Sequence, residues 1–378
     1  MQEQSINYTF KIFYALVILF ITAGHAQYGG FSLFYELVLL NTFHLAAFVF
    51  ASGYFYKFEY ENCVTDFILR KFKHLIVPMY LWNIFYAFLI IFFKSHNIDL
   101  YFGSKVTFST LVLQPLDYGR QFTYNLGSWF VVPLFMVQVY NVIIRKFFSQ
   151  IDNKEIWLTI IAIFLGCAGL YMADHGMNQH FSLCLNRMLY FLPFYQLGIL
   201  YKKYESFDRI NNVVYFSAII LTELVVLYNH NGVISYIQVW CKFEDGYFYP
   251  FFTGLLGIAF WLRISKILTP ILSKSRIVNL LADNTYSIMV NQFLGFMLLK
   301  GFFAVLHKYT YLCSNFNIEQ FKHNIWYYYT PHNLSQMLIL YVLAGLIVPI
   351  LMQMCVSKMW INLTNSKFYQ LLFCKSRA

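Results

Sequence analysis

The stretch Lys11–His25, KIFYALVILFITAGH, carries a cation at its start and a histidine at its end, with an apolar run between. Ionisable groups at membrane depth face a bundle interior rather than lipid, and they count as functional candidates by default. Lys11 and His25 lie fourteen positions apart. That is close to four helical turns, so they share one face and stand about 21 Å apart along it. The distance covers most of a hydrocarbon core of roughly 30 Å. One helix thus offers polar chemistry toward both sides of a membrane, and the rest of the chain reads as a bundle built around that face.

Composition agrees. The 378 residues are 59% hydrophobic, 21% aromatic and only 12% charged, whereas a soluble domain carries about 25% charged residues. The net charge of +10 does not point to nucleic acid, because Lys and Arg sit in short clusters between apolar runs rather than along one polar face. The seven cysteines form no CxxC pair and no metal-like spacing. The N-terminus lacks a basic leader and a small-residue cleavage site, so the first apolar segment reads as a retained helix.

Ten apolar segments are long enough to span or nearly span a bilayer, at 8–25, 31–56, 75–93, 128–144, 156–173, 185–201, 212–229, 248–263, 286–306 and 336–357. The eighth is the shortest. The second is over-long, with a break or tilt expected near Asn41–His44. With the N-terminus inside, eighteen Lys and Arg fall in inner segments and six in outer loops. This obeys the positive-inside rule. The expectation is an all-α polytopic membrane bundle of about ten helices. It is read as one domain over 1–378, both termini cytoplasmic and the tail from about 359 inside. The outer loops, about 94–127, 230–247 and 307–335, are rich in aromatics, as in IWYYYTPHN at 325–333. An interfacial belt explains them; stacking platforms for a sugar ring would also.

His25, at the outer end of the first helix, could act as a general base toward a hydroxyl. The plain alternative is an interfacial histidine bonded to water or a carbonyl. His44 lies deeper, where a helix–helix hydrogen bond is the alternative. Lys71, Lys73 and His74, in ILRKFKHLIVP, form an inner basic cluster. It serves the positive-inside signal and equally suits a phosphorylated cytosolic donor. Lys11 adds to that inner set. Ser128, in Gly127–Ser128–Trp129–Phe130, reads as a helix cap. Arg187 opens the sixth span as an interfacial anchor or as a site for an anionic acceptor or oxyanion. Glu223, mid-span in the seventh helix, is either protonated and bonded or paired with Lys11 or Arg187. No GxSxG, Walker A or HExxH is present, so those hydrolase, ATPase and zinc-protease chemistries are unsupported.

The chain resembles acyltransferase family 3, a family of integral membrane acyltransferases. The resemblance rests on the ordered series Gly24-His25, FHLAAFVFASGYFYK at 43–57, LRKFKHLIVPMYLWN at 69–83, GSWFVVPLF at 127–135, FYQLGILYKK at 194–203 and NTYSIMVNQ at 284–292. It implies transfer of an acyl group, usually acetyl from cytosolic acetyl-CoA, to a hydroxyl of an extracytoplasmic or lipid-linked glycan. On that resemblance His25 and His44 are the catalytic candidates. Lys11, Lys71, Lys73 and His74 are the donor-side candidates, and Arg120, Ser128, Trp129 and Arg187 the acceptor-side ones. No permanently bound cofactor or metal is expected, and a bacterial inner membrane is the implied location. Three positions depart from the family pattern. Tyr14 and His74 stand where arginine is common, and Gln292 where histidine is usual. The rival reading is a transporter or polymerase of polysaccharide or lipid-linked sugar, with His25 and Glu223 lining a path. A glycan-binding homologue without activity is the third.

Overall fold

The first helix starts where the sequence supplies a cap. The Asn7 side chain accepts the Phe10 amide, satisfying one of the free donors at the start of α1 (Tyr8–His25). The computed structural model describes residues 6–26, 40–100, 103, 105–117, 119, 122–230, 234, 236–243 and 246–364. Among these, helices follow one another and no multi-residue strand forms. After α1 come α2 (Leu40–Tyr54), α3 (Val64–Lys71) and α4 (Val77–Ser95), the last two joined through a π-helical turn at Phe72–Ile76. Next is α5 (Gln114–Asp117), preceded by a π turn at Ser109–Leu113. A 3-10 stretch, Thr123–Phe130, feeds α6 (Val131–Phe147), which is followed by α7 (Lys154–Asp174), α8 (His180–Tyr204) and α9 (Asn212–His230). The chain closes with α10 (Tyr249–Leu272), α11 (Arg276–Asp283), α12 (Thr285–Tyr309), α13 (Ile318–His323) and α14 (Leu338–Thr364).

Among the described residues, eight helical runs are long and apolar enough to cross a membrane. The two remaining expected spans also hold helices. One is α2, whose described part begins at Leu40. The other is α8, whose apolar run is interrupted by Asn186, Arg187 and Gln196, all buried. Each of the ten expected segments therefore contains a helix, and the fold is an all-α polytopic bundle. Its outer surface is apolar: Phe88, Phe164 and Leu221 are more than half exposed, as lipid-facing side chains are.

Contacts at the two ends of the bundle follow the expected alternation of loops. At one end Lys11 pairs with Asp283, Tyr54 donates to Glu205 at 2.6 Å, Lys202 donates to the Tyr56 carbonyl, and Lys154 pairs with Glu61. At the other end Tyr328 reaches His25, Arg187 reaches Val239, and His323 meets the Asp99 carbonyl. Segments expected on the same side of the membrane are thus the ones that touch.

Four expectations need correction. The third span is much longer than 75–93: helix runs through Val64–Ser95, so Lys71, Lys73 and His74 lie within a helix rather than in a loop before it. Ser128 is not a helix cap; it is buried inside the 3-10 stretch, and the residue at the cap of α6 is Phe130. Arg187 does not open its helix, because α8 begins at His180 and Arg187 is buried within it. Within the outer loop of 94–127, a helical segment packs on α4: Asn83 donates to the carbonyls of Thr110 and Leu111, and Tyr80 to that of Val112. Such side-chain donors satisfy the carbonyls of irregular backbone near a membrane.

Candidate active site

His25 is the last residue of α1. Its ring lies 5.2 Å from that of Phe293 on α12. His44 of α2 is within electrostatic reach of the ring, and the Gln292 side chain and the Ile21 carbonyl are the polar groups beside it. Nδ1 is buried and meets no partner of good geometry among the described residues. Three helices, α1, α2 and α12, therefore bring His25, His44 and Gln292 together, although the sequence separates the first and last by 267 positions.

The 3-10 stretch supplies one wall. A Cβ at Gly127 would lie 1.9 Å from the Met289 carbonyl oxygen and 3.6 Å from Gln292 Nε2. Only glycine lets this backbone approach α12 so closely. Ser128, next to it, is fully buried. Behind Gln292, Asn291 accepts from the Tyr86 hydroxyl at 2.7 Å and donates to Ser287. Ser287 in turn donates to the Pro349 carbonyl. Tyr14 occupies the position where arginine is common in the resembling family; its ring lies flat on Phe48 of α2, with centroids 5.5 Å apart.

The segment after α13 covers the outer end of α1. The Tyr328 hydroxyl donates to the His25 carbonyl at 2.5 Å, and the Trp326 ring stands edge-on to Phe293 at 5.7 Å. Burial, reinforced by Tyr341 nearby, pushes the Tyr328 hydroxyl well above the ordinary phenol range. It is therefore a neutral donor. Lys300 of α12, fully buried, donates to the Ile325 carbonyl at 2.7 Å and lies over the Tyr328 ring at 5.5 Å.

The other sequence candidates lie apart from the His25 cluster or beside it. Arg187 stacks over Trp129 at 4.7 Å and donates to the Val239 carbonyl from both Nε and Nη2. Two of the four acceptor-side candidates, Arg187 and Trp129, are thus brought together beside a third, Ser128. Arg187 anchors the loop before α10. Lys11 stands at the opposite end of α1, paired with Asp283 at 3.0 Å. Lys71 lies over the Phe67 ring, while Lys73 and His74 are exposed on the π turn. Arg120 lies outside the described residues. Of the two alternatives for Glu223, the pairing with Lys11 or Arg187 is not formed: both cations have other partners, and Glu223 Oε1 is buried with no hydrogen bond among the described residues.

One buried network escaped the sequence reading. Arg145, fully buried, donates to Glu61 from Nε, to Glu155 from both terminal nitrogens and to Gln196 from Nη1. Lys154 completes it on Glu61 at 2.9 Å. In the sequence Arg145 is one inner positive charge among eighteen, and nothing in the spacing of Glu61, Glu155 and Gln196 signals that they converge on it.

The chemistry such a site offers is proton transfer by an imidazole held in a largely apolar setting, with an amide beside it and an aromatic cover above. Neither a curated protein nor a solved structure matches the chain. Residues 12–352, nearly the whole chain, match the family model of an acyltransferase domain, Acyl_transf_3. The chain is thus a multi-pass membrane protein belonging to that acyltransferase family.

Proposed function

We propose that the protein moves an acyl group, acetyl from acetyl-CoA, to a hydroxyl of a cell-surface or lipid-linked glycan, with His25 as the general base. The observation that carries this reading is the convergence of His25, His44 and Gln292 from three different helices, in a chain of an acyltransferase family. His25 takes the proton of the acceptor hydroxyl as the oxygen attacks the thioester carbonyl. A C–O bond forms and the C–S bond breaks. The leaving thiolate recovers a proton from the imidazolium, which returns the base. Holding both reactants in one protein-lined channel supplies proximity.

Donor phosphates meet Lys11, Lys71, Lys73 and His74 at the inner end, as fixed cations pair with phosphate oxygens. The acyl arm of the donor then reaches outward past Asn83, Tyr86 and Asn291, which are buried. Trp129 offers a ring face and Ser128 a hydroxyl to the acceptor, with Arg187 holding Trp129 in place. On this reading the termini are cytoplasmic and the membrane is a bacterial inner membrane.

The test is the O-acetyl content of the host's surface polysaccharide, measured by proton NMR. A deletion strain is complemented with wild type or His25→Ala at equal membrane levels. Acetyl signals that return with wild type and not with His25→Ala support the reading. A change in polymer amount or chain length without a change in acetylation overturns it in favour of transport or polymerisation.

A further inference from the structure

The end of α1 is held by a contact that the catalytic reading does not require. A helix leaves its last carbonyls without intrahelical partners. At the end of α1 the His25 carbonyl takes its proton donor from Tyr328, 303 positions away, at 2.5 Å. Tyr328 is itself fixed. Its ring stands edge-on to Phe296 at 5.8 Å and to Tyr341 at 5.0 Å, and Lys300 Nζ lies over it. Lys300 holds the same segment a second time, through the Ile325 carbonyl. Trp326, between these two attachments, rests on Phe293, which touches the His25 ring. The backbone of His25 thus meets the segment 325–328 directly, its ring meets the same segment through Phe293, and the buried Lys300 side chain pins that segment to α12.

We propose that Lys300 and Tyr328 form a brace that fixes the His25 imidazole in the orientation proton transfer needs. The inference deepens the reading of His25 as the base and rests on it for its catalytic purpose. Tyr328 and Lys300 are positioning residues: neither is placed on the reacting atoms. A buried amine is costly unless it is hydrogen-bonded, and here its carbonyl and aromatic partners belong to the segment that covers His25. Arg at 300 could still donate to the Ile325 carbonyl and lie over the Tyr328 ring; Met could do neither.

The experiment is carbethoxylation by diethyl pyrocarbonate of the full-length protein in lipid nanodiscs, with labelling of each histidine followed by peptide mass spectrometry. Wild type is compared with Tyr328→Phe, Lys300→Met and Lys300→Arg. Tyr328→Phe keeps the ring and removes only the donor. The expected result is that His25 labels about fivefold faster in Tyr328→Phe and in Lys300→Met, the population change that loss of one hydrogen bond allows. Exposed His74 labels at the wild-type rate throughout, and Lys300→Arg stays within about twofold of wild type at His25. The double variant Tyr328→Phe/Lys300→Met labels no faster than the faster single, since both act through one segment.

Unchanged His25 labelling in both Tyr328→Phe and Lys300→Met overturns the brace, and with His25→Ala inactive in the acetylation test it does so while leaving the proposed base intact. Acetylation that survives His25→Ala, with faster labelling in the brace variants, overturns the base and with it the catalytic purpose of the brace. Faster labelling of His25 and His74 alike signals general unfolding and counts against a specific brace.

Discussion

The hydroxyl of Tyr86 donates to Oδ1 of Asn291 at 2.7 Å, and this bond joins α4 to α12 at the residue next to Gln292. Both side chains are buried, so neither has water as an alternative partner. Tyr86→Phe leaves the Asn291 oxygen without its donor and should destabilise the protein by about 1–3 kcal/mol. Asn291→Leu, which removes the second group as well, should cost no more when combined with Tyr86→Phe than alone. Thermal unfolding of the two singles and the double in detergent gives the coupling. Additive losses would mean that the bond contributes nothing.

Arg145 has no substitute. Its guanidinium serves Glu61, Glu155 and Gln196 at once, and it is fully buried. Arg145→Met leaves Glu61 with Lys154 alone and strands the Glu155 carboxylate without its cation, and breaking a buried charge set in this way costs about 3–5 kcal/mol. Arg145→Lys should recover only part, because an ammonium cannot reproduce the fork. Yield and melting temperature of the solubilised protein check this ranking. A methionine variant as stable as wild type would show that the network does not hold α6, α7 and α8 together.

Asp208, between α8 and α9, gives the fold a pH dependence. Burial alone would raise its carboxyl, but hydrogen bonds from Lys266 and Tyr201 and the charges of Lys266 and Arg263 outweigh it and hold the group below the ordinary aspartate range. A depressed folded-state value means that the stabilisation is complete above the unfolded value, about pH 4, and is lost as pH falls below it. Asp208→Asn should therefore lower stability by about 2 kcal/mol near neutrality. The gap should close as the solution is acidified, and melting curves of both proteins across pH show whether it does. A gap that stays constant, or widens in acid, contradicts the assignment.

Gly127 marks where backbone must meet backbone. Its substitution by alanine would place a methyl carbon 1.9 Å from the Met289 carbonyl oxygen, and neither backbone can yield without moving the stretch that carries Ser128 and Trp129. Overpacking of this kind costs about 1–3 kcal/mol. On the proposed function, acetylation should fall more than protein abundance does, because the displaced wall borders Gln292. Equal losses in both would assign Gly127 to folding alone.

Lys11 separates structure from donor binding. Its ion pair with Asp283 is partly exposed, with side-chain exposures of 23% and 59%, and exposed pairs are worth at most about 1 kcal/mol. Lys11→Ala should leave the melting temperature nearly unchanged. If Lys11 meets the donor, the KM for acetyl-CoA rises in Lys11→Ala and not in Asp283→Ala. An unchanged KM removes Lys11 from the donor site.

The sequence by itself determined the helical bundle and the partition of its ends, because both depend on local quantities. A span is legible from the length of an apolar run, and the grouping of loops at two ends from the Lys and Arg between runs. His25 stood out for the same reason: an ionisable group at the end of an otherwise apolar helix is conspicuous one residue at a time. The resemblance to an acyltransferase family was legible too, from short motifs in order. Only the tertiary structure decided which polar groups meet. The contact of Arg187 with Trp129, the Arg145 network and the brace from Lys300 through Tyr328 to His25 all join residues far apart in the chain. In an apolar bundle most buried polar groups find a partner, but the sequence does not say which. Helix packing makes that choice, through close approaches such as that of Gly127 to Met289.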